Sequence, residues 1–252
     1  MNIPIAPRPF AVLADIHGNT LALEAVLADI RSRGIETIVN LGDTFYGPLD
    51  PAGTETLIMQ KEIVSILGNQ DRILLAPSPE LEGIPTYRHT MDNLSGKALD
   101  WLASLKSEHW LHPDAILCCH GAPGDDCAYL TEDVSRGRPE QRSCGEIAES
   151  MGPLRPSLVL CGHSHIQRVA RCAGLTVVNP GSVGLPAYSD DEPPHVMSSG
   201  SPHARYAVIT PQEDGWEATP VQTKYDWSAA AEMARTNGRP DWAQWLRTGT
   251  AT

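Results

Sequence analysis

Five short motifs in this sequence place aspartate, asparagine or histidine beside glycine, and each motif follows an apolar run. Carboxylate and imidazole groups together bind divalent ions of intermediate softness, such as Mn, Fe, Zn, Ni or Co. Glycine beside such groups lets the backbone turn sharply and approach a ligand closely. The sequence therefore predicts a metal site assembled from five motifs, which are Asp15-Ile16-His17, Gly42-Asp43, Gly68-Asn69-Gln70-Asp71, His120-Gly121 and Gly162-His163-Ser164-His165.

The number of ligand types in these motifs favours two ions rather than one. Two divalent ions about 3.5–4 Å apart can share a water, lower its pKa and bind a phosphoryl group. One carboxylate usually bridges such a pair, and Asp43, in the middle of the series, is the natural candidate. The histidines outside the motifs are expected to be exposed or structural, as most histidines are. They are His89, His109, His112, His195 and His203.

The motifs need elements that bring them together, and the apolar runs before them supply these. Phe10–Ala14, Thr37–Leu41 and Ile63–Leu67 are too short for helices, which predicts buried strands. Between the first two runs, Thr20–Arg33 has apolar residues at the i, i+3, i+4, i+7 spacing of one helix face. Strand, helix and strand in this order predict a parallel sheet, and ligands bind at the carboxyl edge of such sheets.

Further along the chain, strands follow one another with fewer helices between them. Residues 86–112 are predicted to be helical. Two stretches, 121–145 and 185–204, are predicted to be loops, the second of them mobile. The end of the chain, Asp226–Leu246, has the pattern of two short helices interrupted at 238–240. The predicted later strands, with an antiparallel portion, are Ala115–Cys119, Ser157–Cys161, Leu175–Val178, Tyr206–Thr210 and Trp216–Val221.

Composition places the chain among globular proteins and excludes several classes of partner. With 19 Lys and Arg against 31 Asp and Glu, its net charge is −12, whereas a protein that binds nucleic acid needs a basic face. No apolar run reaches the roughly 18 residues of a membrane span, and the amino-terminal residues lack a signal-peptide pattern. We therefore expect a cytoplasmic protein of one domain over residues 1–252, with neither a membrane nor sequence-specific nucleic acid as partner.

The cysteines predict no disulfide framework. No Cys-x-x-Cys pair occurs, and the chain is long enough to bury a core without such crosslinks. Four of the cysteines lie in or beside apolar runs, where a thiol is usually a small buried hydrophobe. The six positions are Cys118, Cys119, Cys127, Cys144, Cys161 and Cys172.

The five motifs, in this order, resemble those of the calcineurin-like metallophosphoesterase superfamily. Asn179–Gly184 and the run from Gly42 to Pro48 are similar to its small YfcE-like phosphodiesterase branch. The similarity spans residues 10–210 and leaves the helical tail at 226–246 outside it. Five motifs in order, each after a strand, are far more specific than any one of them. The resemblance implies an α/β fold, a four-layer αββα sandwich with mixed sheets, and a site at its upper edge.

The resemblance also implies a role for each matching residue. A hydroxide that bridges two ions, manganese being favoured, would attack phosphorus in line without a covalent enzyme intermediate. The implied catalytic residues are Asp43, Asn69, Gln70 and Asp71. The implied metal ligands are Asp15, His17 and His165 for one ion and Asn69, His120 and His163 for the other, with Asp43 shared.

Gln70 departs from the pattern of many family members, which have histidine at this position. An amide cannot act as a general acid, although it can donate a hydrogen bond to a phosphoryl oxygen. The sequence therefore predicts hydrolysis of phosphodiester or phosphomonoester bonds in a small phosphorylated substrate, with diesters favoured. Two other interpretations stay open, a non-catalytic protein-interaction module on the same fold and a protein phosphatase. The apolar tail is also a possible homodimer contact.

Overall fold

The computed structural model describes residues 8–111 and 115–251, and two five-stranded sheets form the centre of this part of the chain. The strands are β1 (Phe10–Leu13), β2 (Ile38–Asn40), β3 (Val64–Ser65), β4 (Glu108–Leu111), β5 (Ile116–Cys119), β6 (Glu132–Asp133), β7 (Glu140–Gln141), β8 (Leu158–Leu160), β9 (Arg168–Cys172), β10 (Leu175–Asn179), β11 (Ala187–Asp191), β12 (Pro194–Ser198), β13 (Ala204–Gln212) and β14 (Gly215–Thr223). The helices are α1 (Thr20–Ser32), α2 (Pro51–Met59), α3 (Asn69–Leu74), α4 (Pro79–Glu82), α5 (Pro85–Asn93), α6 (Gly96–Ser104), α7 (Cys144–Met151), α8 (Trp227–Thr236) and α9 (Pro240–Thr248).

Both central sheets are mixed. The first has the strand order β14-β13-β1-β2-β3, and the second has the order β4-β5-β8-β10-β9. In the first sheet β1, β2 and β3 are parallel, while β13 is antiparallel to both of its neighbours, β1 and β14. In the second sheet β5, β8 and β10 are parallel, while β4 and β9 are antiparallel edge strands. The predicted parallel opening is therefore present. Of the predicted later strands, β13 and β14 form the expected antiparallel portion, whereas β5, β8 and β10 are parallel.

The two sheets pack face to face, and helices cover their outer faces. Successive residues of a strand point to opposite faces, so that Phe10 and Val12 of β1 pack against Cys118 and Leu160 of the second sheet. Leu13 packs instead with the apolar face of α1, and α7 covers the second sheet in the same way. The layers are thus helix, sheet, sheet and helix, which confirms the predicted four-layer αββα sandwich.

The first helix shows why the local sequence determines the layer that it forms. The Asn19 side chain accepts a hydrogen bond from the Ala22 amide at 3.1 Å, which satisfies one of the free donors at the start of α1. Leu23, Val26 and Ile30 recur at helical spacing and are all buried against the first sheet. The helix therefore ends close to its predicted boundary and packs by its predicted face.

Two of the regions between strands differ from the prediction. The predicted mobile loop at 185–204 is largely a β-hairpin of β11 and β12, paired from Ala187 with Ser198 to Asp191 with Pro194. The predicted loop at 121–145 contains the short β6–β7 hairpin. Backbone pairing stabilises both hairpins, and their strands carry few apolar residues, so no apolar pattern marks them. Within 86–112, the helices end at Ser104 and β4 follows.

The tail folds back onto the body of the protein. Its two helices, α8 and α9, lie where the sequence predicts them. Trp242 and Leu246 of α9 pack with Ala230 of α8 and with Leu185, and Trp242 and Leu246 are only 4 % and 0 % exposed. The apolar residues that suggested a homodimer contact are thus buried within one chain, and the homodimer stays a prediction without their support.

The cysteines follow the prediction only in part. Cys118, Cys119 and Cys161 are buried free thiols. Cys172 is instead joined to Cys144 in a disulfide bond that links β9 to the start of α7. The single bond is not a framework, but the expectation that Cys172 is a buried hydrophobe is wrong, because its partner lies next to it in space although 28 residues away in sequence.

Among the described residues, no helix has the length and apolar character needed to cross a bilayer.

The segment after β10 braces the loop after β1. Ser182 Oγ donates to the Asp15 carbonyl at 2.7 Å, and the Gly184 amide donates to the same oxygen at 3.0 Å. These two segments approach so closely that a Cβ on Gly184 would lie 1.8 Å from the Ile16 carbonyl oxygen. The Asn179–Gly184 segment is therefore structural, in agreement with its turn-forming composition.

We expect Gly184→Ala to lower the free energy of unfolding by about 1–3 kcal/mol, the usual cost of overpacking against backbone that cannot move aside. Gly96→Ala is the matched control, because a Cβ at Gly96 meets no atom within 4 Å. Urea unfolding followed by tryptophan fluorescence measures both. An equal stability of the two variants would contradict the close approach of the two segments.

Candidate active site

The five motifs lie at the carboxyl ends of strands from both sheets. Asp15 and His17 follow β1, and Asp43 follows β2, while His120 follows β5 and His163 follows β8. Because the sheets pack face to face with these ends at the same edge, side chains from both converge there. Two groups of potential metal ligands result, with ligand atoms within 4.8 Å of one another in each. They are Asp15, His17 and His165, and Asp43, His120 and His163.

The backbone at this edge is left-handed at five of the seven predicted ligands. In the described part of the chain, the non-glycine residues with positive φ are all members of the two groups. Such a backbone is unfavourable for residues other than glycine, and it clusters at functional sites. The values of φ are 57° for Asp15, 52° for His17, 53° for Asp43, 66° for His163 and 60° for His165.

In the first group, two imidazoles and a carboxylate converge on one point. His17 Nε2 and His165 Nε2 are 3.1 Å apart, and His165 Nε2 is 3.4 Å from Asp15 Oδ1. His17 Nδ1 donates to the Tyr46 carbonyl at 2.9 Å, and His165 Nδ1 donates to the Leu185 carbonyl at 2.7 Å. Each ring thus presents its Nε2 atom to the other ring and to the carboxylate, as ligands of a shared ion do.

In the second group, His120 lies between a carboxylate and an amide. Its Nε2 atom is 3.4 Å from Asp43 Oδ2 and donates to Asn69 Oδ1 at 3.0 Å. Its Nδ1 atom donates to the Leu41 carbonyl at 2.7 Å, so that both nitrogens carry protons. Burial lowers the pKa of His120, but the carboxylates of Asp43 and Asp15 outweigh this effect and raise the pKa to about 10. Nε2 is therefore the His120 nitrogen that faces Asp43 and Asn69, and binding of a metal there would displace its proton.

His163 is oriented in the opposite sense from the other three imidazoles. Its Nε2 atom donates to the Cys127 carbonyl at 2.9 Å, which leaves Nδ1 as the nitrogen free to bind a metal. Burial and the neighbouring His120 lower the pKa of His163 to about 4. Burial and His165 lower the pKa of His17 to about 4 as well. Both rings are therefore neutral at pH 7, which is the form that binds metals.

The residues present fit two bound cations. Asp15 Oδ1 is fully buried and has no hydrogen-bond partner in the described part of the chain. This oxygen lies 3.4 Å from His165 Nε2 and 3.9 Å from His120 Nε2, so it faces both groups. An unpaired buried carboxylate oxygen is costly unless a cation compensates it. Carboxylates and imidazoles in this proportion suit divalent ions such as Mn, Fe or Zn.

Asp43 and Asp71 connect the motifs of the first sheet. Asp43 Oδ1 accepts a hydrogen bond from the backbone amide of Gln70 at 2.8 Å. Asp71, which is fully buried, accepts from the Thr44 amide at 2.9 Å and from the Gly68 amide at 3.3 Å. Burial and the nearby Asp43 charge raise the pKa of Asp71 to about 7. Asp71 thus orients the loops that carry Asp43 and Asn69, and it is a positioning residue with no access to substrate.

A cleft of about 260 Å³ opens over the two groups. Gln70 lines it, as predicted for the residue in the position of the missing histidine. Several residues that the motifs did not indicate line it too, and the tail supplies three of them. Among these residues, only the two tail tryptophans have a recognisable sequence pattern, and their helical spacing predicts packing rather than a place in a cleft. The additional lining residues are Tyr46, Leu185, Tyr188, Ser189, Asp190, Arg239, Trp242 and Trp245.

A second network that the motifs did not indicate holds His163 in place through Tyr129. The Tyr129 ring stacks on the His163 ring, with centroids 4.9 Å apart and planes 21° apart. The Tyr129 hydroxyl lies 2.9 Å from both Tyr188 Oη and His195 Nε2. His195 thus has a structural role, as expected for the histidines outside the motifs. Another of these, His112, lies outside the described residues.

Two arginines near the motifs form ion pairs with acidic residues. Arg168 lies 3.2 Å from Glu132, and Arg72 forms a two-pronged pair with Asp126 at 2.7 and 2.9 Å. The Arg72 pair joins α3 to the loop that bears Cys127, whose carbonyl orients His163. Both arginines are therefore structural contacts in this molecule.

Comparison with known proteins gives relatives along nearly the whole chain. The chain is 26% identical over 250 residues to an uncharacterized protein of Methanocaldococcus jannaschii, MJ0912, with 92% of this chain and 94% of the relative covered. A metallophosphoesterase from Sphaerobacter thermophilus has a similar structure, with a TM-score of 0.72, 21% identity, and 96% of this chain and 99% of the other covered. The hypothetical protein PH1004 from Pyrococcus horikoshii OT3 is similar too, with a TM-score of 0.73, 18% identity, and 97% and 99% covered.

The structural similarities extend over both sheets and the tail, and at these identities they show the fold alone. The sequence profile of the calcineurin-like phosphoesterase superfamily domain matches residues 9–199 of the chain. This range contains all five motifs and both ligand groups. The protein therefore belongs to the calcineurin-like phosphoesterase superfamily, a family of hydrolases, and carries candidate metal ligands at the family's motifs.

Proposed function

We propose that this protein is a metal-dependent phosphoesterase that uses two divalent ions, with manganese favoured, and acts on a small phosphorylated substrate. The observation that carries the proposal is the buried, unpaired Asp15 Oδ1 atom between imidazoles of two ligand groups. The six side chains form two groups of three, which favours two ions over one. A lone structural ion would moreover not need an open cleft of about 260 Å³ above its ligands.

The chain's own residues would bind and orient the reacting groups. The proposed ligands are Asp15, His17 and His165 for one ion and Asn69, His120 and His163 for the other, with Asp43 shared. When bound, such a pair of ions supplies a water of lowered pKa and stabilises negative charge on phosphoryl oxygens. The backbone carbonyls behind the four imidazoles fix the ring orientations before any ion binds, which reduces the cost of assembling the site.

The preference for diesters follows from the side chain of Gln70. Its Oε1 atom is buried without a partner in the described residues, so the amide is placed at the site with polar capacity unused. The amide NH₂ group can donate a hydrogen bond to a phosphoryl oxygen, but it cannot protonate a leaving group. Substrates with leaving groups that depart without a proton, such as nitrophenyl diesters, are therefore expected to react faster than monoesters of alkyl alcohols.

We expect chelator-stripped protein to have no phosphoesterase activity and to regain it with Mn²⁺, because the ligands alone supply no nucleophile. The assay uses bis(4-nitrophenyl) phosphate beside 4-nitrophenyl phosphate, with metal content measured in the same samples. About two ions per chain are expected at full activity. Two bound ions without turnover of either ester would favour a binding role. A chain that binds no metal would contradict the proposal.

We expect Asp43→Asn to reduce metal occupancy at both positions and to lower turnover by at least about 10²-fold, since a neutral amide is a poor bridging ligand. Asp190→Asn is the control, because Asp190 lines the same cleft without belonging to either ligand group. Metal analysis after gel filtration, together with the diester assay, measures both effects. Full occupancy and normal turnover in Asp43→Asn would exclude Asp43 as the shared ligand.

We expect Gln70→His to raise the rate for substrates with poor leaving groups, because an imidazole can donate the proton that an amide cannot. The gain has an upper range of about 10²–10⁴-fold, the usual contribution of a general acid. The measurement is the ratio of kcat/KM for 4-nitrophenyl phosphate and phenyl phosphate in both proteins. An unchanged ratio would show that Gln70 does not determine how the rate depends on the leaving group.

A further inference from the structure

One cationic side chain reaches the cleft, and it comes from the tail. Arg239 is the only lysine or arginine among the described residues that line it. Its guanidinium carbon lies 5.3 Å from the centroid of the Trp242 ring, which stabilises the cation over the aromatic face. The Trp242 ring in turn makes an edge contact with the His17 ring at 5.7 Å. The guanidinium is thus one aromatic ring away from a proposed metal ligand.

The Arg239 side chain is held in place but keeps donors free. Its Nε and Nη2 atoms donate to Asp241 at 2.9 and 2.6 Å, and its Nη1 atom donates to Thr86 Oγ1 at 2.5 Å. A guanidinium has five N–H donors, so one N–H on each terminal nitrogen has no partner among the described residues. The side chain is about a quarter exposed, which leaves these donors accessible from the cleft.

The surroundings of Arg239 in the cleft suit an anion. Gln70 and Tyr46, which line the same cleft, are uncharged, and the ion pair of Arg239 with Asp241 uses only part of the guanidinium. Asp190, an acidic residue of the same lining, accepts a hydrogen bond from the Glu192 amide at 3.2 Å and so is engaged within its own hairpin. A guanidinium fork recognises the oxygens of carboxylate, sulfonate and phosphate groups with two parallel hydrogen bonds. An anionic group in the cleft would therefore find Arg239 already oriented.

We propose, as an extension of the proposed phosphoesterase function, that Arg239 binds a second anionic group of the substrate. The substrate class is then a phosphodiester with a negative charge on the group beyond the scissile phosphorus. The reacting phosphoryl group belongs over the two ligand groups, whereas Trp242 lies between His17 and the guanidinium. Arg239 thus determines specificity and takes no part in the bond cleavage itself.

The test compares two diesters with the same leaving group. One is 4-nitrophenyl phenyl phosphate, and the other carries a sulfonate at the para position of the phenyl ring. We expect Arg239→Gln, loaded with Mn²⁺, to lose about tenfold in kcat/KM for the sulfonated diester, mainly through KM. The loss for the uncharged ring should be twofold or less. Arg239→Lys should retain part of the preference, because it keeps the charge without the fork.

Arg247→Gln is the matched control, since Arg247 lies on α9, the helix that directly follows Arg239, is half-exposed and does not line the cleft. Equal losses for the two diesters in Arg239→Gln would place the guanidinium on the scissile phosphoryl group and overturn the proposal. Unchanged kinetics would overturn it as well. If the wild-type protein hydrolyses neither diester, the phosphoesterase function itself fails and this inference fails with it. A lower unfolding temperature of Arg239→Gln would indicate that the tail is displaced. An unchanged temperature, together with a partly retained preference in Arg239→Lys, would indicate a lost contact with the substrate.

Discussion

Two carboxylates buried side by side are the constraint on which the rest of this structure depends. Asp15 and Asp43 are 0 % and 2 % exposed, and burying such charges is costly without compensation. Although burial raises the pKa of each, the neighbouring imidazoles outweigh this effect and lower it, His165 chiefly for Asp15 and His120 chiefly for Asp43. Within residues 8–111 and 115–251, one Asp15 oxygen still has no hydrogen bond. Bound cations would complete the compensation, which is consistent with the candidate metal ligands that surround the two carboxylates.

Placing these charges together requires an unfavourable backbone, which the surrounding segments must support. Each left-handed non-glycine residue costs of order 1 kcal/mol or more, and such residues persist only where neighbours determine their conformation. The segment after β10 does this for Asp15 through Ser182 and Gly184. Asp71 supports the loop of Asp43 by accepting hydrogen bonds from the Thr44 and Phe45 backbone amides. It also accepts one from the Gly68 amide of the following motif. The bracing contacts therefore belong to the site as much as the ligands do.

The structure separates the parts that carry chemistry from those that shape the cleft. The two sheets supply the ligand groups, whereas the β11–β12 hairpin and α9 supply walls such as Tyr188 and Trp242. A strand end in a packed sheet fixes a side chain precisely enough for ligation, because the strands on both sides restrain it. A hairpin or a tail helix can change without disturbing that edge. Substrate preference is therefore expected to depend on the walls, and hydrolysis on the sheets.

Local sequence patterns are enough to predict the central βαβ unit, the tail helices, the seven candidate ligands and the family, because each of these has a recognisable spacing or motif. A helix face repeats at i, i+3 and i+4, and each ligand follows its strand within five residues. The tertiary structure alone decided which residues meet across long separations. Trp242 contacts His17, Tyr129 stacks on His163, and Cys172 pairs with Cys144. Such contacts leave no periodic signal, because the packing of whole layers and the return of the tail bring them together.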